Sequence, residues 1–160
     1  MLKADGFAAG KGVLICNTKV DGEKGIKLLM KTKKFGKAGE KIIIEEFLEG
    51  FEISYFAFFD KQNFIKLGYA LDHKKAYDND KGPNTGGMGC LLPSKKVKRK
   101  IEAEIFNKIL IQTAKGQIKE NLIDSRILFF GLMLSKNGTY VITYNVRVGV
   151  AECQIVLIHL

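Results

Sequence analysis

Two pairs of apolar segments constrain the fold of this chain more than any other feature of its sequence. Residues 52–59 and 64–71 are separated by a short polar turn. Residues 127–134 and 140–148 are separated by a turn that contains an Asn-Gly pair. Such a pair between two apolar runs is a strong short-range signal for an antiparallel β-hairpin. The sequence therefore predicts two hairpins, one on each side of its middle region.

The middle region divides into a loop and a helix. Residues 72–94 have neither a helical nor a strand period and are rich in Gly, Pro, Asn and Asp. Long loops inside a compact domain are usually either functional or disordered, so this segment is the first place to look for a site. Apolar residues then recur at helical spacing, which predicts an amphipathic helix over residues 96–122, weakened near Gly116.

Shorter elements are predicted toward both ends of the chain. They follow from apolar runs and glycine breakers rather than from strong periodicity. In chain order they are the end of a strand at 1–4, a glycine-rich turn at 5–12, a short strand at 13–16, a helix at 21–31, a strand at 41–48 and the start of a helix at 152–160.

The overall composition is that of a folded globular protein. Of 160 residues, 46% are hydrophobic and 27% are charged, which excludes a disordered tail and leaves room for one domain or two small lobes. No apolar run is long enough to span a membrane, and residues 1–6 lack the apolar core of a signal peptide. Cys16, Cys90 and Cys153 are too widely spaced for a disulfide framework or a zinc knuckle. We therefore expect small core cysteines in a cytoplasmic protein that has no membrane partner.

The net charge of +9 raises the question of an anionic ligand. Nearly all the positive charge is lysine, because the only arginines are Arg99, Arg126 and Arg147. Specific readout of bases and two-point grips on phosphate favour arginine over lysine. The lysine-rich stretches at 31–37 and 95–100 are therefore interpreted as solvated faces, and no nucleic-acid partner is expected.

The glycine-rich turn at 5–12 is a candidate phosphate loop. Its three glycines allow backbone N–H groups to point into one concavity, and Lys11 would add a positive charge there. The spacing matches neither a Walker A loop nor a dinucleotide-binding fingerprint. A tight turn between strands therefore remains an equal alternative.

The loop after the first hairpin carries a more specific pattern. Residues 81–89 place four glycines and one proline around Asn84 and Thr85, whose short side chains suit close contact with a ligand. Just before them, residues 72–75 group an Asp, a His and two Lys. We expect a ligand-contact role for His73 in this setting, and its pKa near neutrality would also suit a general base. A purely structural histidine is the alternative.

The last predicted strand carries polar residues at alternate positions. Thr143, Asn145 and Arg147 would share one face of a regular strand. A hydroxyl, an amide and a guanidinium in a row suit a site for a metal ion and phosphate. An ordinary solvent-facing side of a strand is the alternative reading.

These motifs together resemble a known family, the phosphoribosylamine–glycine ligases (glycinamide ribonucleotide synthetases) of purine biosynthesis, in their ATP-grasp portion. The resemblance extends over essentially the whole chain. The segments that carry it occur in the family's order and spacing, and they are residues 3–12, 44–48, 72–74, 82–89 and 145–147.

The resemblance implies an α+β ATP-grasp fold, in which two lobes of antiparallel sheets and helices enclose a nucleotide cleft. Residues 1–48 would form the smaller lobe and residues 49–160 the larger one. The family joins 5-phosphoribosylamine to glycine, through a glycyl phosphate, while ATP is cleaved to ADP and phosphate. The implied ligands are thus ATP, glycine, 5-phosphoribosylamine and Mg²⁺ (or Mn²⁺), and the implied partners are other domains of the same enzyme.

The resemblance also implies roles for individual residues. Those toward ATP are Lys3 and Lys11 at the phosphates, Glu45, Glu46, Phe47 and Leu48 at the adenine, Glu52 at the ribose, and Asn84. Those toward glycine and 5-phosphoribosylamine are Asp72, Lys74, Asn84, Thr85, Gly86, Gly87, Met88, Gly89 and Arg147. The catalytic set would be Lys11, Asp72, His73, Lys74 and Arg147. The metal would be held by Asn145 together with Thr143, which stands where the family has a glutamate.

Three functional hypotheses follow. The first is the ATP-binding core of such a ligase. The second is a degenerate module that holds nucleotide without ligating, because Mg²⁺ prefers carboxylate ligands and Thr143 is neutral. The third, nucleic-acid binding through the lysine stretches, has the least support for the reasons given above.

Overall fold

The computed structural model describes residues 1–6, 8, 12–61, 63–79, 81–85, 87–92, 97–122 and 124–160, apart from the side chains of Pro83, Asn84 and Val150. Contacts between Cα atoms divide the chain into two units, Met1–Leu48 and Glu49–Leu160. We describe each unit by itself.

The first unit contains a three-stranded antiparallel sheet. Strand β1 (Leu2–Ala4) lies between β2 (Val13–Leu14) and β3 (Ile42–Ile44). Both outer strands are shorter than the predicted 13–16 and 41–48. The reason is visible in the register, because Leu2 pairs with Leu14 and with Ile44. A central strand of three residues limits the paired length of its neighbours, and single backbone hydrogen bonds continue the pairing with β3, from Glu45 N–H to Met1 and from Asp5 N–H to Lys41.

A helix follows the sheet's first hairpin in this unit. Helix α1 (Lys19–Ile26) begins at Thr18, whose side chain forms a capping box with Asp21. It continues into a π-helical turn, Lys27–Lys31, so the predicted helix over 21–31 is confirmed with an earlier start. Gly25 of this helix is buried. A Cβ added to it would lie only 2.8 Å from the Cδ1 atom of Leu2. The glycine therefore allows the helix to approach β1 closely.

The second unit is built on a five-stranded antiparallel sheet with the strand order β10-β9-β4-β5-β8. Both predicted hairpins are confirmed, β4 with β5 and β9 with β10, and β4 pairs with β9 between them. The prediction of a loop without strands over 72–94 is wrong in part, because that segment contains β6, β7 and β8. The bounds are β4 Phe51–Asp60, β5 Asn63–Asp72, β6 Lys75–Tyr77, β7 Lys81–Asn84, β8 Cys90–Leu91, β9 Arg126–Ser135 and β10 Gly138–Asn145.

The predicted long helix is present between β8 and β9. It consists of α2 (Arg99–Ile105), a π-helical turn (Phe106–Leu110) and α3 (Ile111–Lys119). The irregularity thus lies at the π turn, and the predicted weakening near Gly116 is wrong, since α3 runs through that residue. The last helix, α4 (Val150–Ile158), begins two residues before its predicted start.

The sheet of the second unit has two differently covered faces. On one face, Ile53, Tyr55, Phe130 and Leu132 of β4 and β9 belong to the main hydrophobic core. Ile105 and Leu110 of the helix over 99–119 belong to the same core. On the other face, Phe56, Ala70 and Phe129 pack against Val156 of α4. Alternation of side chains along the strands therefore separates a helix face from a second face, which we call the site face.

Glycine substitutions provide a test of this packing. Gly116 is exposed within α3, and an added Cβ would meet nothing within 4 Å. Gly116→Ala is expected to raise the free energy of unfolding by about 0.8 kcal/mol, because alanine favours the helix. At Gly50 an added Cβ would lie 2.2 Å from the carbonyl oxygen of Leu134. Gly50→Ala is therefore expected to lower the free energy of unfolding by about 1–3 kcal/mol.

Urea unfolding followed by tyrosine fluorescence measures both effects. All five tyrosines lie in the second unit, and the chain has no tryptophan, so the signal reports that unit alone. Equal shifts of the two variants, in either direction, would contradict the packing described here.

Candidate functional site

The site face collects polar residues from three strands of the sheet, β4, β5 and β10. Ser54 pairs with Ala70 and Gly131, and Gly131 pairs with Thr143, so these four residues form one row across the sheet. The next row contains Phe56, Phe129 and Asn145. Because residues two apart on a strand share a face, Glu52 and Asp72 belong to this face as well. The sheet therefore brings Glu52, Asp72, Thr143 and Asn145 to one side.

A β-bulge decides which side chains of β10 reach the site face. The register shifts between Val141 and Thr143, so Ile142 is the extra residue. Val141 packs on the helix face, and the ring of Tyr144 meets Phe130 on that face at 5.2 Å between centroids. Thr143 and Asn145 consequently point to the site face, as predicted.

Arg147 does not share that strand face. Strand β10 ends at Asn145, and Arg147 lies in the exposed bend that follows it. The prediction that Thr143, Asn145 and Arg147 form one row on a strand is therefore wrong for Arg147. The next helix begins only three residues later, at Val150, and the chain has to turn before that point.

Glu52 and Lys74 form an ion pair at the edge of the site face. Glu52 is near the start of β4, and Lys74 lies between β5 and β6. Both side chains are about one-third exposed, at 35% and 31%. A pair with this exposure contributes less than about 1 kcal/mol to stability. The pair matters for the site and not for stability, because it places a carboxylate and an ammonium group side by side on the site face.

The glycine-rich loop is hydrogen-bonded to the segment that follows β5. The loop is residues 85–89, of which Gly86 lies outside the described residues. Backbone and hydroxyl hydrogen bonds of 2.7–2.9 Å join it to His73 and Lys74. The donors are His73 N–H to the carbonyl of Gly89, Met88 N–H to the carbonyl of His73, and the N–H and hydroxyl of Thr85 to the carbonyl of Lys74.

Gly87 lies against the carboxylate of Asp72. Its φ is +121°, and an added Cβ would be 3.1 Å from Asp72 Oδ1. A side chain would therefore be strained by the backbone and would also press on the carboxylate. Thr85 stabilises this turn, because its hydroxyl accepts a hydrogen bond of 3.1 Å from Gly87 N–H. The predicted grouping of Asp72, His73 and Lys74 with the glycine loop is thus present in the structure.

Burial raises the pKa of Asp72 above its usual value, and the positive charge of Lys74 opposes that rise. The thiol of Cys90 donates to Asp72 Oδ1 at 3.7 Å. Burial, followed by the negative charges of Asp72 and Glu152, raises the pKa of Cys90 to about 12. The three cysteines are free and half-buried, and Cys90 packs against the smaller core cluster of the site face.

Cys90 is expected to react slowly with disulfide reagents at pH 8. A pKa of about 12 in place of the ordinary 9.0 reduces the thiolate fraction of Cys90 roughly a thousandfold at this pH. The greater nucleophilicity of the remaining thiolate offsets about half of this on a logarithmic scale, which leaves a rate about thirtyfold below that of the unfolded chain. Peptide mass spectrometry of native and urea-unfolded samples measures the ratio. Asp72→Asn should raise the native rate, and equal native and unfolded rates would contradict the expectation.

The predicted site residues of the first unit form a cluster of their own. Lys3 Nζ lies 2.5 Å from Glu45 Oε2, and the amino group of Met1 donates to the carbonyl of Glu45 at 2.8 Å. Glu46 and Phe47 follow as exposed residues in an irregular segment, with Phe47 53% exposed, and Leu48 is half-buried. The sequence suggested separate roles for Lys3 and Glu45 and gave no indication that they pair.

Two of the predicted site residues have no described position. Lys11 and Gly86 lie outside the described residues, and so does the side chain of Asn84. Among the rest of the predicted loop, Met88 is 61% exposed.

Sequence reasoning missed one buried polar pair on the site face. Ser54 and Glu152 are 1% and 5% exposed, and Ser54 Oγ donates to Glu152 Oε1 at 2.9 Å. A serine within an apolar strand and a glutamate within an apolar helix were the available signals. Their separation of 98 positions along the chain hid the contact.

The donors for a divalent cation on β10 are neutral. Thr143 offers a hydroxyl and Asn145 an amide oxygen, whereas Mg²⁺ is usually bound through one or two carboxylates together with phosphate oxygens. Within the part of the chain that the structure describes, no group of three His, Cys, Asp or Glu side chains could hold a metal ion. These residues fit Mg²⁺ only as a supplement to the oxygens of a phosphate ligand.

None of the described helices is long and apolar enough to cross a membrane.

The architecture is that of the ATP-grasp proteins. The biotin carboxylase domain of a 2-oxoglutarate carboxylase from Hydrogenobacter thermophilus, solved with MgADP and bicarbonate, matches 93% of this chain with a TM-score of 0.67 and 21% identity. The match covers 31% of that protein's chain and bears on the fold alone. The α+β ATP-grasp fold that the sequence implied is therefore confirmed.

The family can be stated more narrowly. The family model for the phosphoribosylglycinamide synthetase ATP-grasp (A) domain matches residues 1–153, and the chain belongs to that family. Phosphoribosylamine–glycine ligase from Listeria monocytogenes is 43% identical over 98% of the chain. The crystal structure of phosphoribosylamine–glycine ligase from Thermotoga maritima is 38% identical over 92% of the chain, with a TM-score of 0.79. The chain spans 37% of the length of each of these two relatives.

Proposed function

We propose that this chain is the ATP-binding core of a carbon–nitrogen ligase that joins 5-phosphoribosylamine to glycine in purine biosynthesis. Met1–Leu48 would be the smaller ATP-grasp lobe and Glu49–Leu160 the larger one. The observation that carries the proposal is the joint placement of the Glu52–Lys74 ion pair and the loop at 85–89, which is fastened to the segment after β5. A cytoplasmic location and small-molecule ligands, without nucleic acid or membrane, fit this function.

The proposed reaction has two steps. The carboxylate of glycine attacks the γ-phosphorus of ATP, the bond to the bridging oxygen breaks, and ADP leaves. The amine of 5-phosphoribosylamine then attacks the acyl carbon of the resulting glycyl phosphate, and inorganic phosphate leaves as the amide forms. Such reactions depend mostly on positioning and on neutralising charge. The chain's lysines and loop backbone would supply both.

Each predicted residue has a role in this scheme. Toward ATP, Lys3 and Lys11 would bind phosphates, the backbone of residues 45–48 would bind adenine, and Glu52 would accept hydrogen bonds from the ribose hydroxyls. Toward the other two substrates, Asp72, His73 and Lys74 would border the reacting groups, together with Arg147 and the loop residues Asn84, Thr85, Gly86, Gly87, Met88 and Gly89. Asn145 and Thr143 would contact Mg²⁺ (or Mn²⁺), which when bound would neutralise phosphate charge.

ATP binding is the first test. At about 0.15 M salt, non-specific contacts with phosphates are screened, so ATP should bind and DNA should not displace it. Release of ADP only when glycine and 5-phosphoribosylamine are both present would support ligation. ATP binding without such release would favour a nucleotide-binding module, and DNA binding unaffected by ATP would overturn the proposal.

Glu52→Ala is expected to weaken ATP binding about tenfold. Loss of hydrogen bonds between a charged group and the ribose hydroxyls removes about 1.4 kcal/mol of binding free energy. Glu104→Ala is the matched control, because Glu104 also pairs with a lysine, Lys108, but lies on α2 at the helix face. Calorimetric titration measures both affinities. Equal losses in the two variants would contradict a role for Glu52 in binding.

A further inference from the structure

The pair formed by Ser54 and Glu152 is unusual among the described residues, because no other polar or charged side chain described there is so deeply buried. A carboxylate removed from water is costly unless it is hydrogen-bonded. The hydroxyl of Ser54 supplies one hydrogen bond to Oε1, at 2.9 Å. Glu152 also lies in the first turn of α4, where the helix dipole favours negative charge. An apolar pair would hold a helix on a sheet at lower cost, so the polar pair calls for a further role.

The second carboxylate oxygen of Glu152 packs against Gly149. An added Cβ on Gly149 would lie only 1.6 Å from Glu152 Oε2, so the carboxylate packs directly onto that glycine. Gly149 is the N-cap of α4 and has an ordinary extended backbone, with φ −77° and ψ 160°. The absence of a side chain at Gly149 is therefore required by the carboxylate and not by the backbone conformation.

The pair also connects two parts of the site face. Ser54 lies on β4 two residues after Glu52, in the row that contains Gly131 and Thr143. Glu152 lies in the first turn of the helix that follows Asn145 and the bend at 146–149. The hydrogen bond therefore ties the strand that carries Glu52 to the end of the strand that carries Asn145.

We propose that Glu152 is a positioning residue: through Ser54 and Gly149 it holds the bend at 146–149, and with it Asn145 and Arg147, in place on the site face. This inference rests on the proposed function for its consequence, which is the affinity for ATP in the presence of Mg²⁺. The hold on the bend itself is a property of the chain alone.

Three substitutions test the role of Glu152. Glu152→Ala removes the carboxylate and is expected to weaken Mg²⁺-dependent ATP binding at least tenfold. Glu152→Gln keeps an oxygen that accepts from Ser54 and is expected to stay within about threefold of the unmodified chain. Gly149→Ala is expected to reproduce the effect of Glu152→Ala by displacing the carboxylate. Because the clash disappears with the carboxylate, Gly149→Ala should add no further loss in a Glu152→Ala background.

A structural control separates positioning from general loosening of α4. Val156 is 3% exposed and packs against the site face from the same helix. Val156→Ala should lower stability to urea while leaving ATP affinity unchanged. If Val156→Ala weakens ATP binding as much as Glu152→Ala does, or if Glu152→Gln is as defective as Glu152→Ala, the proposal is wrong.

Amide hydrogen exchange of residues 145–149 in the ligand-free chain gives a readout independent of ATP. Exchange should be faster in Glu152→Ala and Gly149→Ala than in the unmodified chain and in Val156→Ala. Unchanged exchange in Glu152→Ala overturns the proposal whatever the affinity data. Failure of the unmodified chain to bind ATP would overturn the proposed function, and exchange would still decide whether Glu152 holds the bend.

Discussion

Thr143→Glu is expected to tighten Mg²⁺-dependent ATP binding by about tenfold to a hundredfold. The bulge at Ile142 turns position 143 to the site face, next to Asn145, so a carboxylate there would join the amide oxygen as a metal ligand. Charge-assisted contacts of this kind contribute roughly 1.5–3 kcal/mol. Titration of ATP at fixed Mg²⁺, and again with a chelator, measures the effect.

The matched control is Thr143→Gln, which has the size of glutamate without its charge. It should leave the dependence on Mg²⁺ close to that of the unmodified chain. If both variants tighten binding equally, side-chain length is responsible and the metal assignment fails. If neither changes the dependence on Mg²⁺, position 143 does not contact the ion.

Phe130→Ala is expected to lower the free energy of unfolding of the second unit by about 3–5 kcal/mol. Phe130 has no exposed surface, and its ring meets Tyr144 and Phe59 at centroid distances of 5.2 and 6.1 Å. Truncation would leave a cavity in the centre of the helix face. Urea unfolding followed by tyrosine fluorescence measures the loss, and the midpoint should fall while the dependence on urea stays the same.

Phe106→Ala is the control for that loss. Phe106 is 36% exposed on the helix that covers the same face, and its ring meets Phe64 at 5.5 Å. Since much of the ring stays in contact with water, and alanine favours helix, we expect a loss of about 1 kcal/mol. Equal losses in the two phenylalanine variants would show that the core is not centred on Phe130.

The larger elements could be predicted because their signals are local. Apolar runs around a polar turn were sufficient for the first hairpin, apolar runs around an Asn-Gly turn for the second, and helical spacing for the helix between them. The strands inside 72–94 could not be found in this way. β8 is only two residues long and exists because Leu91 and Cys90 pair with Leu71 and Asp72 at the edge of β5. Such pairing depends on the folded neighbour rather than on the strand's own sequence.

The contacts of the candidate site also divide into local ones, which could be predicted, and distant ones, which could not. Asp72, His73 and Lys74 are adjacent to one another, and the glycine motif follows within the same segment, so sequence alone could group them. The pairing of Glu52 with Lys74 joins a strand to the far end of its hairpin, and that of Ser54 with Glu152 spans nearly the whole second unit. Contacts of these kinds depend on strand register and on the placement of a helix. Neither leaves a periodic pattern in the sequence from which it could be predicted.

The extra residue Ile142 reverses which alternate residues of β10 face the α2–α3 helix. Upstream of it, one parity of residue number faces the α2–α3 helix, and downstream of it the other parity does. Deleting Ile142 would therefore make β10 a regular strand in the same register and leave Thr143 and Asn145 on the site face. Pairing the unchanged sequence without the bulge would instead turn these two residues toward the apolar core and Tyr144 toward the site face. Loss of this extra residue should therefore disturb the two faces less than an insertion between positions 143 and 145, which would turn the residues after it to the opposite face.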